Sequence, residues 1–262
     1  MIIPFEQDAS NETIGCKAYH LSRMWRAGLP VPAGFCVPWD CMATLGMADL
    51  NSELAGLGDA FAVRSSSVQE DTTHASFAGI LISRLNVATP SDVLNALSDI
   101  RQSALAPAVE GYAQRREVRR SLRVAAIVQT FIAAEASGVL FMRDPVTGAA
   151  HMVIEGSWGL GPGVVEGLVQ PDRWVISRDG GVMESHIADK DIAIVPEPRG
   201  GTVQTAVDPS CRRRPCLSPE LLQQLSQLAS ACERLFGSPQ DIEWAVADNR
   251  VWLLQSRPIT SK

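Results

Sequence analysis

The last stretch of the chain constrains it most. Asp241-Ile242-Glu243-Trp244 and Leu254-Gln255-Ser256-Arg257-Pro258 lie in or beside two short apolar runs, 242–246 and 251–254, which Asp248-Asn249-Arg250 separates. Apolar runs around such a turn predict a β-hairpin. Successive side chains of a strand alternate between faces. Asp241 and Glu243 therefore share one face of the first strand, and Gln255 and Arg257 share one face of the second. Two carboxylates, an amide and a guanidinium converge on one small surface. Carboxylate oxygens suit Mg²⁺, and a guanidinium suits a phosphate that the metal also touches. That combination points to a nucleoside triphosphate. The competing reading is a surface hairpin with ordinary cross-strand ion pairs, and the hairpin alone does not decide between them.

The chain has 262 residues, 46% of them hydrophobic, enough for a sizeable core in one bilobal unit or two small ones. Its net charge of −6 argues against a nucleic-acid binder, which carries a basic excess. The run Arg212-Arg213-Arg214, between Pro209 and Pro215, reads as a solvated loop. The first residues lack the basic and apolar segments of a signal peptide, and no apolar run reaches the length of a membrane span. The six cysteines do not form a disulfide scaffold in a chain of this size. Cys36/Cys41 and Cys211/Cys216 share a C-x4-C spacing but lack an accompanying His, so reduced thiols are expected rather than zinc. A cytoplasmic location follows as an expectation.

Helical spacing of Ala18, Leu21, Met24 and Trp25 predicts a helix from Gly15 to Gly28. A second short helix is expected over 39–46. Strands are expected at 60–63 and 79–82 around a polar loop, and a mostly helical segment over 91–117, broken near Pro107. Further strands are expected at 124–131, 138–141, 152–154 and 174–176. Ser218 as N-cap, Pro219 at the first helical position and Gly237 as terminator predict a helix over 218–235. Helices and strands mix without strict alternation, so the class is α+β.

Five segments occur in order: GCKAYHLSRMWRAGLPVPAGFCV, FAVRSSSVQEDTTHASFAG, VQTFIAAEASGVLFMRDPVTG, IEGSWGLGPGVVEGLVQPDRW and FGSPQDIEWAV followed by LLQSRP. Through them the chain, from about Gly15 to Pro258, resembles the N-terminal ATP-binding domain of phosphoenolpyruvate synthase and pyruvate phosphate dikinase, also carried by the rifampin phosphotransferases. The resemblance implies a bilobal ATP-grasp fold with ATP in the cleft between lobes, here expected over 1–190 and 191–262. It implies ATP and Mg²⁺ as cofactors.

Residue by residue, the resemblance gives Lys17 a contact to the nucleotide phosphates, consistent with a lysine at a helix N-terminus. Arg64 can clamp phosphate bidentately, with Ser65 and Ser66 as donors; a polar turn with a surface arginine is the bland alternative. Gln129-Thr130-Phe131-Ile132 matches the hinge that holds adenine, and Glu135 matches a ribose contact. Asp241, Glu243 and Gln255 inherit metal and phosphate roles, and Arg257 a phosphate role. Lys17, Arg64 and Arg257 are the expected catalytic cations. Glu70 and Asp71 belong to the Ser-rich loop. His74, in Thr73-His74-Ala75, superficially matches the phosphorylated histidine of the dikinases, but it sits inside the ATP-binding loop and reads as a solvated histidine. His20, His151 and His186 have no phosphohistidine context either.

Two positions depart from the family. Pro162 follows Gly-Leu-Gly where the family has Glu, and Ile80 stands where it has Gln. Asp144-Pro145-Val146-Thr147-Gly148 is turn chemistry. The family's swivelling phosphohistidine domain and its acceptor domain have no counterpart in this sequence. The expectation is therefore an ATP-dependent phosphotransferase module that acts on a histidine of a separate partner. A stand-alone kinase or ligase acting on a small molecule, and a non-catalytic nucleotide-binding module, are the alternatives.

Overall fold

The computed structural model describes residues 1–68, 71–72, 75–76, 82–104 and 123–259. The chain divides into two compact units. The first comprises Met1–Arg26, Pro32–Phe131 and Pro198–Gly201, and the second Ala27–Val31, Ile132–Glu197 and Thr202–Lys262.

In the first unit, β1 (Ile3–Pro4), β2 (Gly34–Val37), β3 (Phe61–Ser67), β6 (Ser83–Val87) and β7 (Val124–Thr130) form one antiparallel sheet in the order β1-β2-β7-β3-β6. β4 (Asp71–Thr72) and β5 (Ala75–Ser76) pair with each other. On one face, Phe35, Val37, Phe61, Val63, Ala126 and Val128 pack with Leu50 and Leu54 of α2 (Met47–Leu54) and Val93, Leu97 and Ile100 of α3 (Pro90–Ala104). α1 (Asn11–Arg26) lies against the other face and buries Ile14, Ala18, Leu21 and Met24, one side of a helix.

Several expectations need correction. The second helix is at Met47–Leu54, not 39–46, because Cys41 N–H to Pro38 O and Thr44 N–H to Cys41 O close separate turns before Gly46. Of the strand expected at 79–82, only Ile82 is described, and the strand begins after it. α3 ends at Ala104; the rest of the segment expected to 117, Pro107 included, lies outside the described residues, as do Glu70, His74 and Ile80.

The second unit carries a six-stranded antiparallel sheet in the order β11-β10-β9-β8-β14-β15. Its strands are β8 (Ala136–Phe141), β9 (Met152–Trp158), β10 (Asp172–Ile176), β11 (Val182–His186), β14 (Gln240–Ala247) and β15 (Arg250–Pro258). The hairpin β12 (Ile192–Pro196) and β13 (Thr202–Ala206), the short α4 (Pro162–Val165) and α5 (Pro219–Phe236) complete it. α5 has the expected caps: Ser218 Oγ accepts from Leu221 N–H, and Gly237 ends it at φ 74°. The expected boundary near residue 190 is not where the units divide. β8, β9 and β10 hydrogen-bond into the same sheet as β14, so everything after Phe131, apart from Pro198–Gly201, belongs with the C-terminal hairpin.

The mixed, largely antiparallel α+β class is as expected. Among the described residues no helix is long and apolar enough to cross a membrane. All six cysteines are thiols; burial raises the pKa of Cys36 and lifts that of Cys232 to about 12.

Candidate functional site

The expected residues fall into two sets, one in each unit. In the second unit the terminal hairpin turns at Asp248 and Asn249, both at positive φ (52° and 55°), between the facing residues Ala247 and Arg250. Two consecutive residues of that kind make a type I′ turn, whose twist matches that of the strands. Asp241 faces Arg257, and Glu243 faces Gln255. Beyond Glu243 the register slips: Trp244 faces Leu253, and Leu254 is the extra residue of a β-bulge.

This bulge decides where the side chains go. Val251 and Leu253 face the core at 1% and 0% exposure. Strict alternation would send Gln255 and Arg257 the same way. The extra residue instead puts Ser256 on the core side, opposite Ile242, and turns Gln255 and Arg257 to the face of Asp241 and Glu243. There Arg257 Nε and Nη2 both lie 2.8 Å from Asp241 Oδ2. The expected phosphate and metal ligands are thus joined in a charge-assisted pair.

The register continues across the sheet from Glu243 to Val139, Glu155 and Arg173. Arg173 reaches Glu155 Oε1 at 3.7 Å and Asp144 Oδ2 at 3.3 Å. Asp144 is buried in the β8–β9 turn. Its Oδ1 accepts from the N–H groups of Thr147 and Val146, and its Oδ2 lies 3.2 Å from His151 Nε2. The Thr147 N–H above all, then those of Val146 and His151, hold its carboxyl well below the usual carboxylate range. Local turn chemistry predicts the turn but not this network.

Glu135 lies at the start of this unit. Its N–H donates to Val246 O, and its Oε1 accepts from Asp248 N–H at 3.1 Å. The residue expected at the ribose therefore braces the hairpin turn. The glycine-rich segment is tied to β12: Leu160 N–H donates to Ile194 O at 2.8 Å, and Pro162 opens α4. Trp244, fully buried, lies against two glycines. A Cβ on Gly138 would sit 2.8 Å from Trp244 Cζ2, and one on Gly156 2.7 Å from Cη2.

In the first unit Gly15 interrupts α1 at φ 79°, so the helix proper starts immediately before Lys17. A Cβ at Gly15 would run into the hydroxyl and backbone of Ser66. Ser66 Oγ accepts from Ala18 N–H at 3.1 Å, and Cys16 Sγ reaches Val68 O at 3.4 Å. The G-x-K segment is thereby docked on the end of β3. Ser66 acts as its helix cap, and Lys17 is brought to the strand that carries Arg64. Ser65 belongs to the opposite, core-facing side of β3, 1% exposed.

At the expected hinge, Thr130 N–H donates to Ala33 O and Phe131 N–H to Ala60 O, and Thr130 Oγ1 donates to Leu57 O. Ile132 O accepts from Ala134 N–H. Gln129 is 2% exposed, and its Oε1 has no hydrogen-bond partner among the described residues.

With this geometry in hand the class is plain. Residues 46–262 match the family described as the pyruvate phosphate dikinase AMP/ATP-binding domain, and the chain belongs to that family. The resemblance carried by the five segments is borne out. The chain is 34% identical to the prodigiosin synthesizing transferase PigC of Serratia marcescens, over 95% of this chain and 32% of that protein. It is 38% identical to a probable phosphoenolpyruvate synthase of Methanothermobacter thermautotrophicus, over 76% of this chain and 29% of that one. It is 34% identical to the rifampicin phosphotransferase of Bacillus cereus, over 79% and 24%. The chain thus spans about a third or less of the length of these relatives.

Proposed function

We propose that this chain binds Mg·ATP and serves as the nucleotide-using part of a phosphotransferase of the phosphoenolpyruvate synthase type, with a histidine on a separate partner domain as the phosphoryl acceptor. The observation that carries the reading is the facing of Glu243 with Gln255 and of Asp241 with Arg257 on one side of a bulged hairpin, in a chain of an ATP-binding family.

The residues suit the ligands. Among the described residues no group of three or more His, Cys, Asp or Glu could hold a metal. Mg²⁺ keeps waters and phosphate oxygens and is held through only one or two protein oxygens. Glu243 and Gln255 supply such oxygens. Asp241 already accepts both Arg257 contacts through one oxygen, so its role is to aim the guanidinium as much as to meet the metal. Gln129 Oε1, without a partner among the described residues, is an acceptor suited to the adenine amino group, and the backbone beyond Phe131 offers the hinge. Lys17 and Arg64 meet phosphate oxygens, the lysine from a helix start that Ser66 fixes. Bound Mg²⁺ supplies charge neutralisation on the transferring phosphoryl group.

The test is nucleotide turnover by the 262-residue chain with Mg·ATP, resolving AMP from ADP, with and without histidine-bearing partner domains. AMP and phosphate formed only with a partner, together with a phosphorylated partner histidine, is the expected result. ADP formed with a small molecule alone would replace this reading with a stand-alone kinase or ligase. Binding without turnover under every condition would leave a nucleotide-binding module.

A further inference from the structure

We infer that Gln240 and Ser256 are positioning residues for the nucleotide site, and that the buried hydrogen bond between them locks the register on which the site depends. This rests on the proposed Mg·ATP reading. Ser256 Oγ donates to Gln240 Oε1 at 2.8 Å, and both residues are fully buried. Gln240 Nε2 donates in turn to Ser238 O at 2.9 Å and to Ser238 Oγ at 3.1 Å. The pair lies on the core side of β14 and β15, with Ile242, Trp244 and Leu253 as its apolar neighbours on that face. Each member is interleaved with the site: Gln240 precedes Asp241, and Ser256 stands between Gln255 and Arg257.

The reason such a link is needed is the bulge. One extra residue in β15 sets the facing of everything after it, and removing or shifting it turns Gln255 and Arg257 to the core. The apolar core residues cannot resist that shift strongly, because Leu253 and Leu254 are chemically alike. A serine and a glutamine can. Once Gln255 and Arg257 turn to the core, Ser256 turns away from it and Gln240 Oε1 is left without this donor inside an apolar layer, and a buried polar group without a partner is costly. The hydrogen bond therefore selects the single register that opposes Glu243 to Gln255 and Asp241 to Arg257.

The experiment is a double-mutant cycle read by Mg·ATP affinity, using the 262-residue chain with the wild type measured first. Ser256→Ala and Gln240→Met should each weaken Mg·ATP binding roughly tenfold. In a chain already carrying Gln255→Ala and Arg257→Ala, Ser256→Ala should change the residual affinity by less than about twofold, because it acts through those two side chains. Wild-type affinity in both single variants overturns the inference and leaves the functional reading intact. So does the same fold loss in both backgrounds, which would make the effect global. Should Ser256→Ala not fold, Gln240→Met runs the same cycle from the other strand; loss of the fold in both makes the bond a stability element and overturns the positioning role. A wild-type chain that does not bind Mg·ATP overturns the functional reading itself and this inference with it.

Discussion

Lys190 Nζ stands 2.6 Å from Asp172 Oδ1, with both side chains fully removed from solvent. The carboxylate is saturated: Ala188 N–H shares Oδ1, and Cys216 N–H donates to Oδ2. One side chain thus gathers the segment before β12 and the segment before α5 onto the start of β10. Removing one partner leaves a buried charge uncompensated, a loss of about 3–5 kcal/mol. Lys190→Ala should lower stability by that order in urea denaturation, and joint replacement of both residues by apolar ones should lower it less.

Trp244 and its two glycines give a second test. An added Cβ at Gly156 must displace a buried indole in a close-packed layer, and overpacking of this kind costs about 1–3 kcal/mol. Gly156→Ala should lower the melting temperature measurably. Trp244→Ala, which empties the space instead, should cost about 3–5 kcal/mol.

At Gly15 two constraints coincide, a left-handed backbone and contact with Ser66. Gly15→Ala should destabilise by more than about 1 kcal/mol and weaken nucleotide binding, because the cap that seats Lys17 is lost. Equal ATP affinity in variant and wild type, measured by calorimetry, would argue against Lys17 as a phosphate ligand.

Asp144 predicts a pH dependence. Its folded-state pKa is depressed, so the stability it contributes is present above the ordinary aspartate pKa and is lost as pH falls through that value toward the folded one. The difference in stability between wild type and Asp144→Asn should therefore be larger at pH 7 than at pH 3. A constant difference across that range, by denaturant titration, would contradict the hydrogen-bond account.

At the candidate site, Glu243→Ala and Arg257→Ala should abolish productive use of Mg·ATP while the circular dichroism spectrum stays that of the wild type. Wild-type turnover in both would sink the assignment.

The sequence made the hairpin legible because its turn chemistry and apolar runs are local. Asp-Asn at the turn, Ser218 and Pro219 at the start of α5 and Gly237 after it each act within a few residues. The lobe boundary was not legible, since the pairing of β8 with β14 is set by contacts far apart in the chain. The hidden parts of the site have the same origin. Glu135 could be matched to a ribose contact, but its bond to Asp248 joins residues distant in sequence. Gln240 and Ser256 carried no such local signal, because 251–254 is one continuous apolar run and the bulge at Leu254 shows only in the pairing of β15 with β14.

That pairing also bears on how the molecule comes into being. Phe141 finds Asp241 about a hundred residues later, whereas the strands of the first sheet all lie within residues 3–130. On a ribosome the first sheet has every strand it needs while the second still lacks β14 and β15. Until those are made, β8 is paired on its β9 side alone and its other edge is bare, an opening for strand pairing with a neighbouring chain.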